Sequence, residues 1–413
     1  MKQKEKSSPK QTVPALRFPE FVDAGGWIER KLGDIATFIN GRAYSQSELL
    51  DKGKYRVLRV GNFFSNNNWY YSDLEVEDDK YCEHGDLLYA WSASFGPRIW
   101  LGEKVIYHYH IWKVLANELV LKQFLYVILV YETDKIKSQS AKGLGLLHIT
   151  KGSIEAWKTP IPSLPEQQKI ADCLSSLDEL IQLQNKKVEA LKSYKKGLLQ
   201  NLFPAEGETV PKLRFPEFEG TGDWEEVGGD FLFDPITNKN HDSSLPILAI
   251  TQEHGAIPRH LIDYQISVTE KSIESYKVVE PGDFIISLRS FQGGIEYSNY
   301  LGICSPAYII LRKNRDLSNH FYRYYFKTTK YIQDLNKNIE GIRDGKMVSF
   351  KQFSEIQIPF PSLPEQQKIA DCLSSVDALI QVQSERVEGL KSHKKGLLQG
   401  LFPVIGEYEG YVF

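Results

Sequence analysis

Polar side chains that can bond to base edges and phosphates recur between short apolar runs of the 413-residue sequence. Amide, hydroxyl and guanidinium groups make such contacts with duplex nucleic acid. In the first half the candidates are Asn40, Arg42, Tyr44, Asn62, Ser92, Ser94, Arg98 and Lys142. In the second half they are Asn238, Lys239, Thr251, Gln252, Arg289, Ser290, Gln292, Arg343 and Lys346. Taken singly, each is more often an ordinary solvated loop residue, so the hypothesis rests on corresponding loops that carry different polar residues.

Histidines and cysteines show no pattern of metal ligation. His108 and His110 alternate with aromatic and aliphatic residues, a spacing that one face of a β-strand explains. The four cysteines have neither a Cys-x-x-Cys spacing nor a matching histidine cluster. We therefore expect no metal-binding residues, and we interpret the cysteines as small buried side chains in a reducing cytoplasm.

Motifs for nucleotide hydrolysis or methyl transfer are missing from the sequence. It contains no G-x-x-x-x-G-K-[ST] phosphate loop, no Asn-Pro-Pro-Tyr or Asp-Pro-Pro-Tyr tetrapeptide, and no glycine-rich turn after an apparent strand. The scattered serine, histidine and aspartate residues form no nucleophile elbow. We expect a binding protein that has no catalytic residue and holds no cofactor of its own.

Composition and charge fit a globular protein of two or three domains. The longest strongly apolar run, Phe124–Tyr131, is far shorter than the roughly 18–20 residues that span a bilayer. The N-terminus is polar, so we expect no signal peptide there, and we interpret residues 1–12 as a disordered tail. A formal net charge of −3 argues against holding nucleic acid through a blanket of positive charge. Local basic loops or charged partner subunits remain compatible with nucleic-acid binding.

The chain repeats itself at an interval of nearly 200 residues. Pro162–Pro204 returns as Pro361–Pro403 with 34 of 43 positions unchanged, and Val13–Phe21 returns as Val210–Phe218. The residues between these segments do not visibly repeat. Residues 28–160 contain five tryptophans, whereas the corresponding part of the second half contains none. The pattern predicts two copies of one scaffold that carry different binding surfaces.

The longer repeated segment is predicted to be a helix that pairs with its twin. Apolar residues recur at positions a and d of successive heptads, and proline marks both ends. Ser163 and Glu166 have the spacing of a capping box. Roughly 38 helical residues would give a rod of about 57 Å. The residues expected to pair the helices are Leu174, Leu177, Ile181, Val188, Leu191, Leu198, Leu373, Val376, Ile380, Val387, Leu390 and Leu397.

The charge distribution favours antiparallel pairing. In both helices the early turns are acidic and the late turns are basic, so an antiparallel pair places opposite charges side by side. The alternative is that each helix only complements its own macrodipole. Gln184, Gln383, Lys195 and Lys394 fall at heptad core positions. They either fix the register at a cost in stability or lie at solvent-exposed ends of a shorter seam.

Between the helices, short apolar runs broken by Gly, Asn and Pro predict strands, and two stretches, 117–137 and 317–338, have helical spacing. We predict a mixed α/β (α+β) fold with a pseudo-two-fold internal repeat and an antiparallel coiled coil. The predicted segments are a tail at 1–12, globular domains at 13–161 and 205–360, conserved helices at 162–204 and 361–403, and a C-terminal tail at 404–413.

From about residue 13 to residue 403, the sequence resembles the DNA specificity subunits of type I restriction–modification systems. The most specific match is the helix start IPSLPEQQKIA at Ile161–Ala171, repeated as FPSLPEQQKIA at Phe360–Ala370. The duplicated helix, the tryptophan followed by LGDI and the Gly-Asp strand starts support the match. The second half departs from the opening pattern at Trp224–Phe231, which reads WEEVGGDF.

The resemblance implies two target-recognition domains, each reading one half of a bipartite, asymmetric site in double-stranded DNA, with the paired helices as the spacer. It implies two methyltransferase subunits, which bind S-adenosylmethionine and methylate adenine, and two restriction subunits, which use ATP and Mg²⁺. Two other interpretations remain open. A single-chain methyltransferase or nuclease would need catalytic motifs that the sequence lacks. A coiled-coil scaffold with sugar- or protein-binding heads would not require two divergent sets of polar loops.

Overall fold

The computed structural model describes residues 11–64, 66–92, 94–140, 149–242, 244–262, 273–337 and 348–403. The chain divides into unit 1, Met1–Gln184 with Arg386–Phe413, and unit 2, Asn185–Glu385. Residues 1–10 and 404–413, which make up most of the two predicted tails, lie outside the described residues. The last two residues of the predicted N-terminal tail, Gln11–Thr12, form a short strand.

The apolar run Leu87–Ala90 shows how the sequence builds the central sheet of unit 1. Its first and third side chains pack into the cluster that contains Phe124, and its second and fourth pack into the cluster that contains Tyr107. Because successive side chains of a strand point to opposite faces, an unbroken apolar run marks a strand that is covered on both sides. Phe284–Ile286 in unit 2 divides between two clusters in the same way.

Unit 1 contains three sheets among its described residues. The three-stranded sheet has the order Gln11–Thr12, Trp27–Lys31, Lys158–Ile161. The first four-stranded sheet has the order Ala36–Asn40, Ile111–Ala116, Leu87–Ala90, Gly96–Ile99. The second has the order Tyr70–Ser72, Tyr55–Leu58, Val105–Tyr107, Tyr81–Cys82. The shorter helices are Leu32–Ile35, Val60–Phe64, Lys122–Ser140 and Lys151–Ala156.

Unit 2 contains one four-stranded sheet and three two-stranded sheets among its described residues. The four-stranded sheet has the order Phe233–Ile236, Ile309–Lys313, Phe284–Ile286, Glu296–Tyr297. The paired strands are Glu225–Gly228 with Gln357–Phe360, Leu248–Thr251 with Gly255–Pro258, and Lys277–Val279 with Gly302–Cys304. The shorter helices are Gly229–Leu232, Ser290–Gly293, Asn319–Tyr325, Thr329–Lys337 and Phe350–Ser354.

The central sheets of the two units have the same strand order and the same antiparallel pairing. Each unit also contains a short strand followed directly by a single helical turn, Leu32–Ile35 in unit 1 and Gly229–Leu232 in unit 2. The second unit keeps this arrangement even though its sequence departs from the LGDI pattern. The predicted mixed α/β fold and its internal repeat are confirmed.

The two predicted long helices are present as Leu164–Asn201 and Leu363–Leu401. Proline is the second residue of each, where its missing N–H costs no intrahelical bond. In both copies the helix stops shortly before the Phe-Pro pair, Pro204 or Pro403, as the sequence predicts.

Ion pairs within each unit give the relative direction of the two helices. In unit 1, Lys394 Nζ, near the end of the second helix, donates to both carboxylate oxygens of Asp178 in the first helix, at 2.6 and 2.7 Å. In unit 2, Lys195 lies late in the first helix and pairs at 2.6 Å with Asp377, early in the second. Each unit therefore packs the early part of one helix against the late part of the other, which is the predicted antiparallel arrangement.

Burial along the helices follows the heptad pattern. All twelve residues named above for helix pairing are buried or half-buried. Leu183, Leu379 and Val382, which lie outside the a and d positions, are 62%, 56% and 64% exposed. Gln383 is buried and Gln184 is half-buried, so neither lies at a solvent-exposed end. These two glutamines are polar members of the buried face.

Glu166, predicted to close a capping box, instead holds a segment from the start of the chain. Its carboxylate accepts hydrogen bonds from Arg17 Nε at 2.8 Å, Arg17 Nη2 at 2.7 Å and Trp27 Nε1 at 3.2 Å. Arg214 binds Glu365 in unit 2 with the same two-point geometry, at 2.7 and 2.9 Å. The repeated LRFPEF segment is therefore fastened to the repeated helix start by a buried ion pair in each unit.

The glutamine that follows this glutamate in each copy of the repeat holds the loop before the helix. Gln167 Nε2 donates to the carbonyl oxygens of Leu119 and Pro162, both at 3.0 Å. In unit 2, Gln366 donates to Pro361 O at 2.8 Å and accepts from Ser318 N at 2.9 Å. The LPEQQ sequence thus joins three parts of each unit.

In the described part of the chain, no helix is long and apolar enough to cross a membrane. Within the same residues, no group of three or more His, Cys, Asp or Glu side chains is arranged to hold a metal ion.

Candidate nucleic-acid interface

The strand directions of the central sheet bring separate polar loops to one edge of unit 1. Ala36–Asn40 and Leu87–Ala90 both run antiparallel to Ile111–Ala116, so their C-terminal ends meet at the same edge. The turn that precedes Ile111 lies at that edge as well. We call residues 40–44, 91–92 and 108–110 the first loop edge.

Backbone hydrogen bonds fix the loops of this edge to one another. Arg42 N donates to Tyr107 O at 3.0 Å, and Tyr109 N donates to Arg42 O at 3.0 Å. Trp91 Nε1 donates to Tyr109 O at 2.9 Å. A Cβ on Gly41 would lie 2.4 Å from Tyr107 O, so only glycine allows the loops to approach this closely. The first loop edge is a preorganised surface.

Aromatic and imidazole rings form most of the first loop edge. Tyr44 stacks on His108 with 6.3 Å between ring centroids, and Trp91 meets His110 edge-on at 4.9 Å. Tyr109 is 39% exposed. Trp91 and Tyr109 were not among the sequence candidates. The His-Tyr alternation was the available signal, but these residues form the turn between two strands rather than one face of a strand.

Electrostatics at this edge keep His108 neutral and pair Arg42 with a carboxylate. Burial, reinforced by His110 and Arg59, lowers the pKa of His108 to about 4. Arg42 Nη2 donates to Glu48 at 2.6 Å, and the pKa of that carboxyl falls to about 2. The Arg42 guanidinium also lies 5.1 Å from the Tyr44 ring centroid. One terminal nitrogen of Arg42 is thus already used in an internal ion pair.

The other candidates of the first half have diverse environments. Asn40 Oδ1 accepts a hydrogen bond from Trp112 Nε1, and Asn62 Nδ2 donates to two carbonyl oxygens of its own loop. Ser92 is buried and Ser94 is exposed. Burial raises the pKa of Tyr44 to about 12.

Arg98 was predicted to lie in a loop, but it belongs to the edge strand Gly96–Ile99. Its side chain is exposed, and its guanidinium lies 5.6 Å from the Phe63 ring centroid. Lys142 lies outside the described residues.

Unit 2 brings its candidates together at the equivalent edge of its central sheet, where we define residues 236–240, 251–254 and 287–292 as the second loop edge. Gln252 Nε2 lies 3.4 Å from the carbonyl oxygen of Arg289. Gln252, Arg289 and Gln292 are exposed, as is Lys239 on the neighbouring loop. Exposed amide and cationic groups from three loops therefore lie on one surface.

Three candidates of the second half close local turns instead of facing solvent. Ser290 is buried, and its Oγ accepts from Ser287 N at 2.9 Å. Thr251 Oγ1 accepts from His254 N at 3.0 Å. Asn238 Oδ1 accepts from the backbone N–H two residues later at 2.9 Å. Arg343 and Lys346 lie outside the described residues.

Lys327 stabilises the second loop edge by bonding to residues that directly follow it. Its Nζ donates to Gly293 O at 2.9 Å and to Glu296 Oε1 at 2.6 Å. Burial raises the pKa of Glu296, and the ion pair with Lys327 opposes that shift. This pair anchors the turn that carries Arg289 and Gln292.

Comparison with known proteins identifies relatives of the whole chain. The family model for the type I restriction modification DNA specificity domain matches residues 25–193 and 234–392. The MjaVIII specificity subunit of a type I restriction enzyme from Methanocaldococcus jannaschii is 28% identical over 334 residues, covering 76% of this chain and 77% of its own. The EcoDI specificity subunit from Escherichia coli is 23% identical over 415 residues, covering 91% and 86%.

Solved structures show the same fold. The S subunit of a type I restriction–modification system from M. genitalium has a TM-score of 0.61 at 17% identity and covers 95% of this chain and 100% of its own. A chain from a structure of type I restriction–modification complex assembly has a TM-score of 0.53 at 19% identity and covers 92% and 98%.

Proposed function

The chain belongs to the type I restriction modification DNA specificity family, and we propose that its two units each read one half of a bipartite, asymmetric site on double-stranded DNA. The protein is a specificity subunit of a type I restriction–modification system. The proposal assigns the reading of sequence to the first and second loop edges.

The observation that carries the proposal is the contrast between the two loop edges. They stand at the same edge of sheets with the same strand order. The first presents Tyr109, Trp91 and two histidines, whereas the second presents Arg289 and two glutamines. Aromatic and apolar groups contact thymine methyls and sugars, while amide and guanidinium groups bond to adenine and guanine edges. A common frame with different surface chemistry is what two different half-sites require.

Exposure separates contact candidates from residues that shape the loops. The exposed candidates that close no turn of their own are Asn40, Ser94, Arg98, Lys239, Gln252, Arg289 and Gln292. We assign DNA contacts first to these, and we assign a supporting role to Asn62, Thr251 and Ser290. Basic members of the set also supply the local positive charge that a chain of net charge −3 otherwise lacks.

We further propose the partners of the assembled system. Two methyltransferase subunits would bind S-adenosylmethionine and methylate adenine, and two restriction subunits would use ATP and Mg²⁺. Residues 163–176, at the start of the first helix, recur without change as residues 362–375 at the start of the second, so the chain offers two nearly identical surfaces. That duplication supports a pair of each partner. The chain itself contributes recognition and no catalytic group, and the assembly would act in the cytoplasm.

Reconstitution tests this proposal. The purified chain should transfer no methyl group from S-adenosylmethionine and hydrolyse no ATP. Together with its methyltransferase partner it should direct adenine methylation to a single bipartite motif. Methyl transfer by the contaminant-free chain, or motif-independent methylation by the complex, would contradict the proposal.

A further inference from the structure

Equivalent helical segments in the two units differ at several inward-facing positions, and one of these positions lies against the paired long helices. Phe124 packs edge-on against Trp27 at 6.1 Å in unit 1, and Phe321 packs edge-on against Trp224 at 5.9 Å in unit 2. Trp27 and Trp224 are 197 positions apart in the sequence, and so are Phe124 and Phe321. The same offset places Val127 of unit 1 opposite Tyr324 of unit 2.

In unit 2 the tyrosine fills the space beside the paired long helices. Its hydroxyl donates to Asp377 Oδ2 at 2.7 Å and lies 3.2 Å from Ser374 Oγ. Lys195 Nζ lies 5.2 Å from the centroid of the Tyr324 ring. The tyrosine is 5% exposed, and burial raises its pKa to about 12. A phenol group is therefore held by an aspartate, a serine and a lysine.

Unit 1 has the same three polar residues around a cavity of about 130 Å³. Ser175, Asp178 and Lys394 line it, as counterparts of Ser374, Asp377 and Lys195. Val127 lies in its wall where unit 2 has the tyrosine ring. The remaining wall includes Leu174 and Leu398, which are buried.

The size and lining of this cavity match a small aromatic molecule. An engineered apolar cavity of about 150 Å³ binds benzene. Ligand sites combine apolar walls with a few well-placed polar groups. Leu174 and Leu398 supply the walls, and Asp178 supplies an acceptor at the end where the tyrosine hydroxyl would be.

We propose that this cavity is a binding site for a small phenol, which would replace in unit 1 the side chain that Tyr324 supplies in unit 2. The ring would pack against Val127, Leu174 and Leu398. The hydroxyl would donate to Asp178 beneath Lys394. A bound phenol would fill the space between helix Lys122–Ser140 and the paired long helices, so it would stabilise unit 1.

Calorimetric titration of the full chain with p-cresol, the analogue of the tyrosine side chain, tests the proposal. The native chain should take up one equivalent in a saturable manner. Val127→Tyr should abolish binding because the new ring occupies the cavity. Tyr324→Val should create a second site and raise the uptake to two equivalents.

Val127→Phe provides a second filled variant in case Val127→Tyr does not fold, and thermal unfolding checks the fold of each protein. p-Cresol should raise the unfolding temperature of the native chain and leave that of the filled variants unchanged. Absence of saturable binding to the native chain would overturn the proposal. Undiminished binding to both filled variants would do so as well, because the ligand would then be elsewhere.

Discussion

At the residue scale, the arginines of unit 1 differ in how much of their hydrogen-bonding capacity is already used. Arg42 is paired with Glu48 and lies over the Tyr44 ring. Arg98 is exposed, and its guanidinium lies 5.6 Å from the centroid of the Phe63 ring. A guanidinium already paired with a carboxylate offers less to a base edge or phosphate. Arg98 is therefore the stronger candidate for DNA contact.

Replacement of Arg98 by alanine should weaken DNA binding by the assembled complex. A lost base-edge contact should cost about 1–3 kcal/mol and relax one position of one half-site. A lost phosphate contact should weaken all sequences alike and reduce the salt slope by about 1. Affinities for single-base variants of the site at two salt concentrations distinguish these results. Arg30, exposed on a strand away from the loop edge, is the control; equal effects of both alanine variants would contradict the assignment.

His108 should make stability depend on pH. Its folded pKa of about 4 lies below the ordinary value of 6.5, so the unfolded chain binds its proton first. The contribution of neutral His108 to the unfolding free energy is present above pH 6.5 and is lost as the pH falls from 6.5 toward 4. His108→Gln should therefore gain stability relative to the native chain between pH 7 and pH 5, as followed by thermal unfolding. His84→Gln, at an exposed position, is the control and should show a smaller change.

Arg17 should be critical for the stability of unit 1. The side chains of Arg17 and Glu166 are 6% and 1% exposed, so removing the guanidinium leaves a buried carboxylate uncompensated. Arg17→Met should cost roughly 3–5 kcal/mol of unfolding free energy, and adding Glu166→Gln should recover much of it.

Tryptophan fluorescence during urea unfolding reports this change, because six of the seven tryptophans precede residue 184. Lys192 pairs with Glu189 where both side chains are more than half exposed, so Lys192→Ala should cost at most about 1 kcal/mol. An Arg17→Met variant as stable as Lys192→Ala would show that the buried pair contributes little.

At the element scale, the two long helices combine a repeated sequence with a continuous backbone. Each runs through residues that belong to both units. Their apolar heptads were readable from the sequence because a 3.5-residue repeat is a local pattern. Their antiparallel direction was readable because each helix separates its charges.

Other features of the elements were not local and could not be predicted. Glu166 binds an arginine 149 residues away in the sequence, and its spacing from Ser163 imitates a capping box. Arg98 follows a loop-like Gly-Pro pair, yet it lies in an edge strand paired with Leu87–Ala90. Ser290 and Thr251 look like binding residues because a loop hydroxyl that faces a ligand has the same sequence signal as one that closes its own turn.

Inserting one heptad into each long helix, after Asn185 and after Ser384, should lengthen the gap between half-sites and leave their sequences unchanged. Seven residues add about 10 Å of helix, comparable to about 3 base pairs at 3.4 Å each, and they keep the apolar faces aligned. Mapping the methylated motif of the reconstituted complex measures the gap. As a matched control, the same heptad inserted into only one of the two helices should destabilise the helix pair. Altered half-site sequences with an unchanged gap would exclude a spacer role.

At the scale of the whole molecule, the chain contains two copies of one fold, and the two copies carry different surfaces. The duplicated parts are the long helix and the LRFPEF segment. In each unit these two parts form the same buried ion pair. The divergent parts lie at equivalent loop edges. The relatives of the chain are specificity subunits by name, so they lend no support to a single-chain enzyme or to a scaffold with heads that bind other ligands.

Exchange of one reading unit tests this account most directly. Residues 27–160 would be replaced by the corresponding segment of a relative with a known motif, and the methylated motif of the reconstituted complex would be mapped. We expect one half-site to change to that of the donor, while the other half-site and the gap stay as they were. A motif in which both half-sites change, or neither changes, would contradict the assignment of one half-site to each unit.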